Sequence, residues 1–547
     1  MGSNVEKWEQ IVAEKRSLRE RSLKPYLVSD LDQRGPRVDN VHDRSRLDDP
    51  TAQEITNIDS ISTLLEQLRV GRYTAEQVTR AYIQRAVIAH QLTNAITETV
   101  FDEALSQARA LDHHFQKAGE LRGPLHGIPV SVKDQFDLKG VDTTLGYVGR
   151  AFAPATEDAA IVRILKEMGA VVLVKTNLPQ TLMWAETDNN LWGRTVNPRN
   201  PELIPGGSSG GEGALVALHG SILGLGTDIG GSIRIPGSMN GLYAFKPTSS
   251  RYPVNGVPGP GDGQEHVHFS SGPLARDMES LCYVSRLVAD SEPWEFDPKC
   301  APLPWNETVF QELQTRPLVI GLILDDGIVK VHPPIERALR ELASKLQDHG
   351  HEVVLWDTSN HQDCVKLMDE YYVADGFEGV LRDIDASGEP MIPHVQGLAD
   401  RAKGKALSVY EYWQVNKKKI ALRQKYLSRW NATRSPSGKP VDVLLSPTTA
   451  HTAIPHRTLR WVGYTKVWNL LDYPAVTFPV DRVRKEVDVQ PIGYQPRNDL
   501  DVWNWRLYDA DAMDGYPVNL QVIGKTLQDE KVLGAATIIE KIGRGEK

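Results

Sequence analysis

Residues 206–237 read GGSSGGEGALVALHGSILGLGTDIGGSIRIPG, and two of the four serines in this stretch, Ser208 and Ser232, lie 24 positions apart in glycine-dense loops. Loops with so few side chains let backbone N–H groups converge on one point, which is the arrangement that a developing oxyanion needs. A helix-like run, GEGALVAL at residues 211–218, follows the first serine, and its N-terminal dipole would point toward that hydroxyl. The stretch therefore predicts a reaction centre built around serine.

The same stretch resembles the signature sequence of the amidase signature family. It has the paired glycines, the doubled serine, the acidic Asp228, and the Ser-Ile-Arg-x-Pro ending from Ser232 to Pro236. The family also has a lysine well upstream, and Lys133 takes that position in GIPVSVKD, residues 127–134. The resemblance covers the chain from about residue 55 to the C-terminus. Two further segments are most similar to the fungal acetamidase-type branch: TVNPRN at residues 195–200 and RDIDASGEP at residues 382–390.

This resemblance implies an amidase that hydrolyses a carboxylic amide to the acid and ammonia or an amine. Ser232 would attack the carbonyl and become acylated, Ser208 would relay protons, and Lys133 would be the base. The family further implies a cis peptide at Gly207–Ser208, which directs the Ser208 hydroxyl between the other two groups. No histidine is required in this scheme.

Lys133 has a sequence context that suits a base. Its position at the end of an apolar, strand-like run indicates burial, which disfavours the ammonium form and lowers the pKa of the side chain. A base must be neutral, and from an ordinary pKa of about 10.4 a shift of several units is needed at pH 7. Without this context, a lysine is most simply an ordinary surface residue.

The loop that ends at Ser232 is expected to supply an oxyanion hole. Asp228 and Arg234 flank the loop and are predicted to brace it through a charge-assisted hydrogen bond, and Gly207 and Thr227 are also assigned supporting roles. A tight turn would explain the glycines equally well, and both interpretations can hold together. The predicted donors are the backbone N–H groups of Ile229, Gly230, Gly231 and Ser232.

Leu182 and Met183, in PQTLMWAE, occupy positions that contact the acyl part of the substrate in relatives, although such residues are more often core. Together with Ser208 and Ile229 they are the predicted substrate-binding residues. A few pocket side chains decide amide selectivity, so short aliphatic, aryl or indole amides and a biosynthetic intermediate all stay open.

Neither a metal nor a cofactor is predicted. The pairs His113-His114 and His266-x-His268 lack a third ligand at useful spacing, and solvated loop histidines are the simpler interpretation. The Gly224-x-Gly226 pair lacks the third glycine of a dinucleotide-binding fingerprint.

Residues 206–210 also match G-x-S-x-G, the nucleophile elbow of α/β-hydrolases. That motif requires a strand directly before it, whereas residues 197–205 read NPRNPELIP, and three prolines do not make a central strand. We therefore reject the α/β-hydrolase interpretation.

The composition is that of an ordinary globular protein. The 547 residues are 40% hydrophobic and 24% charged with a net charge of −9, and an acidic chain without a basic face argues against nucleic acid as a partner. Three cysteines without paired spacing suit a reducing compartment, and no signal peptide or membrane-length apolar run is present. We expect a cytoplasmic protein that acts on a small-molecule amide away from membranes, with a homodimer by analogy and base rate.

Two helix–glycine–strand units predict an α/β fold. In the first, Asp158 is expected to cap an amphipathic helix that Gly169 ends before a strand at residues 171–174, and in the second Gly350 ends a helix before residues 353–356. We predict one large α/β/α body with a mixed, mostly buried central β-sheet flanked by helices. Apolar runs that suit strands buried on both faces are at residues 318–324, 443–445, 475–480 and 518–523.

The chain divides into an N-terminal helical and extended arm, residues 1–55, and a catalytic domain, residues 56–547. The arm is expected to be helical to about residue 25 and extended over residues 29–55. The domain contains the core motif, residues 127–250, and a helix-rich insertion at about residues 357–439 that is expected to cover the sheet or the site. Thr74 and Gln77 predict a capping box that opens a helix running through Val87.

Three other functions share enough with this pattern to be weighed. An ammonia-supplying subunit of a glutamine-dependent amidotransferase has the same fold and triad but depends on a partner. A lipid (fatty acid) amide hydrolase would differ in its preference for acyl-chain length. A catalytically inactive scaffold is disfavoured because the complete set of residues is present.

Overall fold

The computed structural model describes residues 2–29, 31, 41–402 and 404–546. Its strands form a single sheet. Eleven strands are found within the described residues: β1 (Ile96–Thr99), β2 (Pro129–Lys133), β3 (Val171–Thr176), β4 (Leu223–Asp228), β5 (Tyr243–Lys246), β6 (Ser270–Ala275), β7 (Val319–Leu322), β8 (Glu352–Leu355), β9 (Val443–Pro447), β10 (Ala475–Arg482) and β11 (Pro517–Ile523). Their order across the sheet is β1-β3-β2-β4-β6-β5-β10-β11-β9-β7-β8.

Helices flank this sheet. In chain order the described helices are α1 (Gly2–Leu23), α2 (Pro50–Asn57), α3 (Ile61–Arg69), α4 (Ala75–Thr93), α5 (Phe101–Ala118), α6 (Ala160–Glu167), α7 (Gly210–Ala217), α8 (Arg234–Asn240), α9 (Met278–Asp290), α10 (Glu307–Thr315), α11 (Pro333–Asp348), α12 (His361–Tyr371), α13 (Glu378–Asp385), α14 (Pro393–Ala402), α15 (Val409–Ala432), α16 (Gly463–Leu471), α17 (Asp499–Arg506), α18 (Ala510–Met513) and α19 (Asp529–Arg544).

The sheet is mixed, as predicted. Strands β3, β2 and β4 run parallel to one another, as do β8, β7 and β9, and the remaining neighbours are antiparallel. Every residue of β2, β3, β4, β9 and β11 is buried, because helices cover both faces of these strands. The predicted α/β/α body with a mostly buried sheet is confirmed.

Both helix–glycine–strand units are present. Gly169 and Gly350 take φ values of +95° and +86°, which glycine adopts without strain, and connect α6 to β3 and α11 to β8. The predicted capping of α6 by Asp158 is wrong. The Asp158 carboxylate instead accepts the Lys139 N–H at 2.8 Å and pairs with Lys166 at 3.0 Å, so loop and lysine contacts replace the cap.

Thr74 and Gln77 form the predicted capping box at the start of α4. The helix continues beyond Val87 to Thr93, where Asn94 in the left-handed conformation ends it. The observed end follows this cap, because no glycine or proline interrupts the helical pattern earlier.

The N-terminal segment packs on the body. Arg19 of α1 donates to the carbonyl of Ile96 at 2.9 Å, and Lys15 pairs with Asp142 at 2.9 Å. The expectation of extended structure up to residue 55 is wrong for α2, which Asp49 caps by accepting the Thr51 N–H at 2.8 Å. Residues 30 and 32–40 lie outside the described residues.

Within the described residues, no helix has both the length and the apolar character that crossing a membrane requires.

We predict that Gly211→Ala destabilises the protein although alanine favours helices. A Cβ at this position of α7 would lie 2.4 Å from the Asn177 nitrogen and 2.8 Å from the Ala95 carbonyl oxygen. The gain in helix propensity, about 1 kcal/mol, is smaller than the cost of backbone overlap, about 1–3 kcal/mol or more. The free energy of unfolding, measured with guanidinium, should therefore fall.

Gly397→Ala in α14 is the matched control, because a Cβ there meets nothing within 4 Å. This variant should be as stable as the wild type or more stable, by up to about 1 kcal/mol. Equal stability of the two variants would contradict the close packing of α7 on the end of β3.

Candidate active site

Three sequence-predicted residues meet at one edge of the sheet. Lys133 is the last residue of β2, and β4, the parallel neighbour of β2, ends at Asp228 and leads to Ser232. The carboxyl ends of parallel strands lie at the same edge of a sheet. Ser208 reaches this edge from the loop that precedes α7.

Lys133 is fully buried and makes two hydrogen bonds. Its Nζ is bonded to Ser208 Oγ at 2.7 Å and donates to Thr227 Oγ1 at 2.8 Å. The Thr227 hydroxyl in turn donates to Gln135 Oε1 at 2.6 Å. Among the described residues, both hydrogen-bond partners of Nζ are neutral hydroxyls, so a charge at this position is not neutralised by direct contact.

This environment lowers the pKa of Lys133 to about 7. Burial is the main cause, since it penalises the ammonium form, and the more distant carboxylate of Asp228 offsets only part of that penalty. A substantial fraction of the side chain is therefore a neutral amine near pH 7. Such an amine is able to accept a proton.

The two glycine-rich loops are linked at their serines. The Gly207–Ser208 peptide is cis, as the resemblance implies, and the backbone N–H of Ser209 donates to the carbonyl of Ser232 at 3.1 Å. Ser208 is almost fully buried, whereas Ser232 is partly exposed to the cavity described below. Ser208 and Ser232 both line this cavity.

Asp228 and Arg234 form an ion pair with no solvent exposure. The guanidinium donates to both carboxylate oxygens, at 2.9 and 3.0 Å, and also to Asn469 Oδ1 at 2.9 Å. Burial alone would raise the pKa of Asp228, but the charge and hydrogen bonds of Arg234 lower it to about 2. The carboxylate is therefore ionised, and it also accepts the Gly231 N–H.

The four predicted oxyanion donors are not equivalent. The Gly231 N–H donates to Asp228 Oδ1 at 2.8 Å, which differs from its expected role because the turn folds back onto its own carboxylate. For the other three, no acceptor is found among the described residues. They are the N–H groups of Ile229, Gly230 and Ser232.

Glu212 is a buried group that the sequence analysis did not select. From the first turn of α7 its carboxyl accepts hydrogen bonds from Ser131 of β2 at 2.6 Å and from Thr176 of β3 at 2.8 Å. Burial raises the pKa of Glu212 to about 8. The sequence signal was an acidic residue within an otherwise apolar and glycine-rich helical run, GGEGALVA.

A cavity of about 1280 Å³ opens above these residues. Leu182, Met183, Ser208 and Ile229 all line it, and Leu182 has a φ of +63°, an uncommon conformation for a leucine. Several other lining side chains could not be predicted from the sequence, because they come from distant segments. These include Gln135, Phe269, Tyr372, Phe377 and Val380, the last three from the helix-rich insertion.

The histidine pairs match the expectation of solvated loops only in part, since His268 is exposed in a loop whereas the other three differ in location or burial. His113 and His114 lie on α5, and His266 stacks on Tyr371 with ring centroids 4.5 Å apart. Within the described residues, no cluster of three histidine, cysteine or acidic side chains is suited to hold a metal ion.

Comparison with known proteins gives consistent similarities. A family model described as Amidase matches residues 77–533. Amidase 1 of Gibberella moniliformis is 53% identical over 537 residues, which cover 98% of this chain and 99% of that protein. Acetamidase of Aspergillus oryzae is 38% identical over 540 residues and 98% of both chains. A solved structure described as fatty acid amide hydrolase has a TM-score of 0.92 at 32% identity, covering 99% of this chain and 96% of that chain.

We predict that Asp228→Asn is strongly destabilising. The change leaves the Arg234 guanidinium buried without a counter-charge, which typically costs about 3–5 kcal/mol. Guanidinium-induced unfolding at pH 7 measures the loss. Because the pKa of Asp228 is lowered in the folded protein, its contribution is present above about pH 4 and is lost as the pH falls toward 2.

The exposed pair Glu66–Arg69, at 2.6 Å, provides the control. Glu66→Gln should leave the unfolding curve unchanged, because solvent screens an exposed pair. A similar curve for Asp228→Asn would show that the buried pair does not hold the loop.

Proposed function

Since this chain belongs to the amidase signature family and is an amidase, we propose that it hydrolyses its substrate through an acyl-serine intermediate on Ser232. The observation that carries this proposal is the 2.7 Å hydrogen bond between the buried Lys133 Nζ and Ser208 Oγ, at the base of a cavity that Ser232 also lines. A neutral amine, a hydroxyl relay and a hydroxyl nucleophile are together sufficient for acyl transfer.

Protons move along this chain of groups. Neutral Lys133 accepts the proton of Ser208, Ser208 accepts that of Ser232, and Ser232 Oγ forms a bond to the carbonyl carbon of the amide. The Thr227 hydroxyl accepts one N–H of Nζ, which leaves the lone pair of the neutral amine free to accept the Ser208 proton. When the C–N bond breaks, the reverse path delivers a proton to the departing nitrogen.

The negative charge on the substrate oxygen is stabilised by backbone donors. The N–H groups of Ile229, Gly230 and Ser232 are available for this role, while the Gly231 N–H fixes the turn through Asp228. Each oxyanion donor typically contributes a factor of about 10²–10³ to kcat. Water then attacks the acylated Ser232, with the same lysine and serine removing its proton, and the carboxylic acid leaves.

The size of the cavity favours substrates that are larger than acetamide. Acetamide has only a few heavy atoms, whereas pockets for ligands of drug size measure about 300–1,000 Å³, and this cavity has about 1280 Å³. Leu182, Met183 and Phe377 give one wall an apolar surface that suits an aryl or alkyl acyl group.

We predict that Ser232→Ala lowers the single-turnover rate of amide cleavage more than Ser208→Ala does. The first change removes the nucleophile and should cost on the order of 10⁴-fold or more, whereas the second removes a relay and should cost on the order of 10²–10³-fold. Ser209→Ala is the matched control, because within the described part of the chain its hydroxyl makes only long contacts, 3.4 and 3.5 Å, with the backbone of Thr227. It should cleave amides at close to the wild-type rate.

Ammonia release is measured from a series that includes acetamide, benzamide, indole-3-acetamide, oleamide and glutamine. Release from benzamide or indole-3-acetamide that disappears in Ser232→Ala supports the proposal. The reverse order of the two serine variants would assign the nucleophile to Ser208. Activity on glutamine alone would favour the amidotransferase subunit, and a steady increase with acyl-chain length would favour a lipid amide hydrolase.

A further inference from the structure

Three consecutive carbonyl groups of the loop before Ser232 are each held by a side chain from outside the loop. The side chains come from two elements, the C-terminal end of α12 and helix α16. The three hydrogen bonds run from Asn469 Nδ2 to the Asp228 carbonyl at 3.1 Å, from the Tyr372 hydroxyl to the Ile229 carbonyl at 3.2 Å, and from Thr465 Oγ1 to the Gly230 carbonyl at 2.6 Å.

Holding a carbonyl also fixes the N–H of the same peptide unit. The peptide group is planar, and in its trans form the C=O and N–H bonds point in opposite directions. We propose that Tyr372 is a positioning residue, whose hydroxyl holds the Ile229 carbonyl and thereby directs the Gly230 N–H toward the substrate oxygen. This inference rests on the proposed acyl transfer at Ser232.

The Asp228 carboxylate restrains the turn at Gly231, but within the described residues no residue of the loop holds the peptide unit between Ile229 and Gly230. Gly230 and Gly231 have no side chains, and glycine has the greatest backbone freedom of all residues. Tyr372 is directly adjacent, since a Cβ added to Gly230 would lie 2.6 Å from the tyrosine hydroxyl oxygen. An oxyanion donor is effective only when its direction is fixed before the reaction.

Tyr372 is itself held in place. The Lys466 ammonium lies over its ring at 5.2 Å from the centroid and is paired with Asp369 of α12 at 2.6 Å. Burial, together with the nearby Asp369 carboxylate, raises the pKa of Tyr372 well above its ordinary value. The hydroxyl therefore stays protonated and can donate its hydrogen bond to the Ile229 carbonyl at neutral and moderately alkaline pH.

The test is Tyr372→Phe, compared with Tyr371→Phe. Both changes remove one hydroxyl from neighbouring positions at the end of α12, but Tyr371 donates to Asn416 of α15 at 2.8 Å and not to the loop. We expect Tyr372→Phe to lower kcat about five- to tenfold, the usual effect of one neutral hydrogen bond, with KM unchanged. Tyr371→Phe should retain the wild-type kcat.

A second readout separates positioning from general stability. A trifluoromethyl ketone analogue, which Ser232 converts to a tetrahedral oxyanion adduct, should bind Tyr372→Phe about five- to tenfold more weakly, while the carboxylic acid product binds unchanged. Equal kcat in the two tyrosine variants, or a change in KM alone, would overturn the proposal. Because thermal unfolding is measured for both variants, a folding defect is recognised directly.

Thr465→Val and Thr465→Ser give an independent check if Tyr372→Phe does not fold. Thr465→Val removes the hydroxyl that holds the Gly230 carbonyl. This frees the peptide unit on the other side of Gly230, so the Gly230 N–H is less well directed and adduct formation should weaken. Thr465→Ser retains the hydroxyl and should bind the analogue as the wild type does. Equal adduct binding by these two variants would overturn the inference that external side chains aim the loop. If the acyl-transfer proposal itself is wrong, Ser232→Ala will still cleave amides. This result is distinct from a failure of the Tyr372 proposal alone, in which Ser232→Ala is inactive and the two tyrosine variants have equal kcat.

Discussion

The reaction centre depends on a lysine side chain that is buried without a counter-charge in contact. Lys133 ends a strand with covered faces, and its Nζ is bonded only to the hydroxyls of Ser208 and Thr227 within the described residues. The lowering of its pKa from 10.5 to about 7 corresponds to roughly 5 kcal/mol of penalty on the ammonium form. Burial at the end of the sheet therefore makes Lys133 a base at neutral pH, because the ammonium form loses its hydration.

Asp228, the residue after the Thr227 that contacts Lys133, is buried together with Arg234, and this pair stays charged. Their ion pair, with the Gly231 N–H as a further donor, fixes a turn made largely of glycine. Lys133 is thus largely uncharged at and above its pKa of about 7 and able to accept a proton, while the turn that carries Ser232 is held by full charges. The uncharged lysine and the charged pair lie at the same edge of the sheet, because the parallel strands β2 and β4 end side by side.

Much of the fold could be predicted from local sequence pattern, because a helix or strand is marked by apolar runs, glycines and capping residues that lie within or next to that element. The cap assigned to Asp158 failed since its partners, Lys139 and Lys166, are set by the tertiary arrangement. Tyr372 could not be found from sequence for the same reason, as it lies 143 positions beyond Ile229. Ser208, Ser232 and Lys133 could be predicted because the family resemblance assigns their positions. The direction of the Gly231 N–H could not, because it depends on the folded turn.

The pH dependence of kcat/KM on a non-ionising amide tests the central claim most directly. The account predicts that kcat/KM rises with pH through a single ionisation near 7, as Lys133 loses its proton, and stays on a plateau into the alkaline range. In Lys133→Ala that ionisation should disappear along with most of the activity. An acid limb that survives unchanged in Lys133→Ala would show that another group is the base.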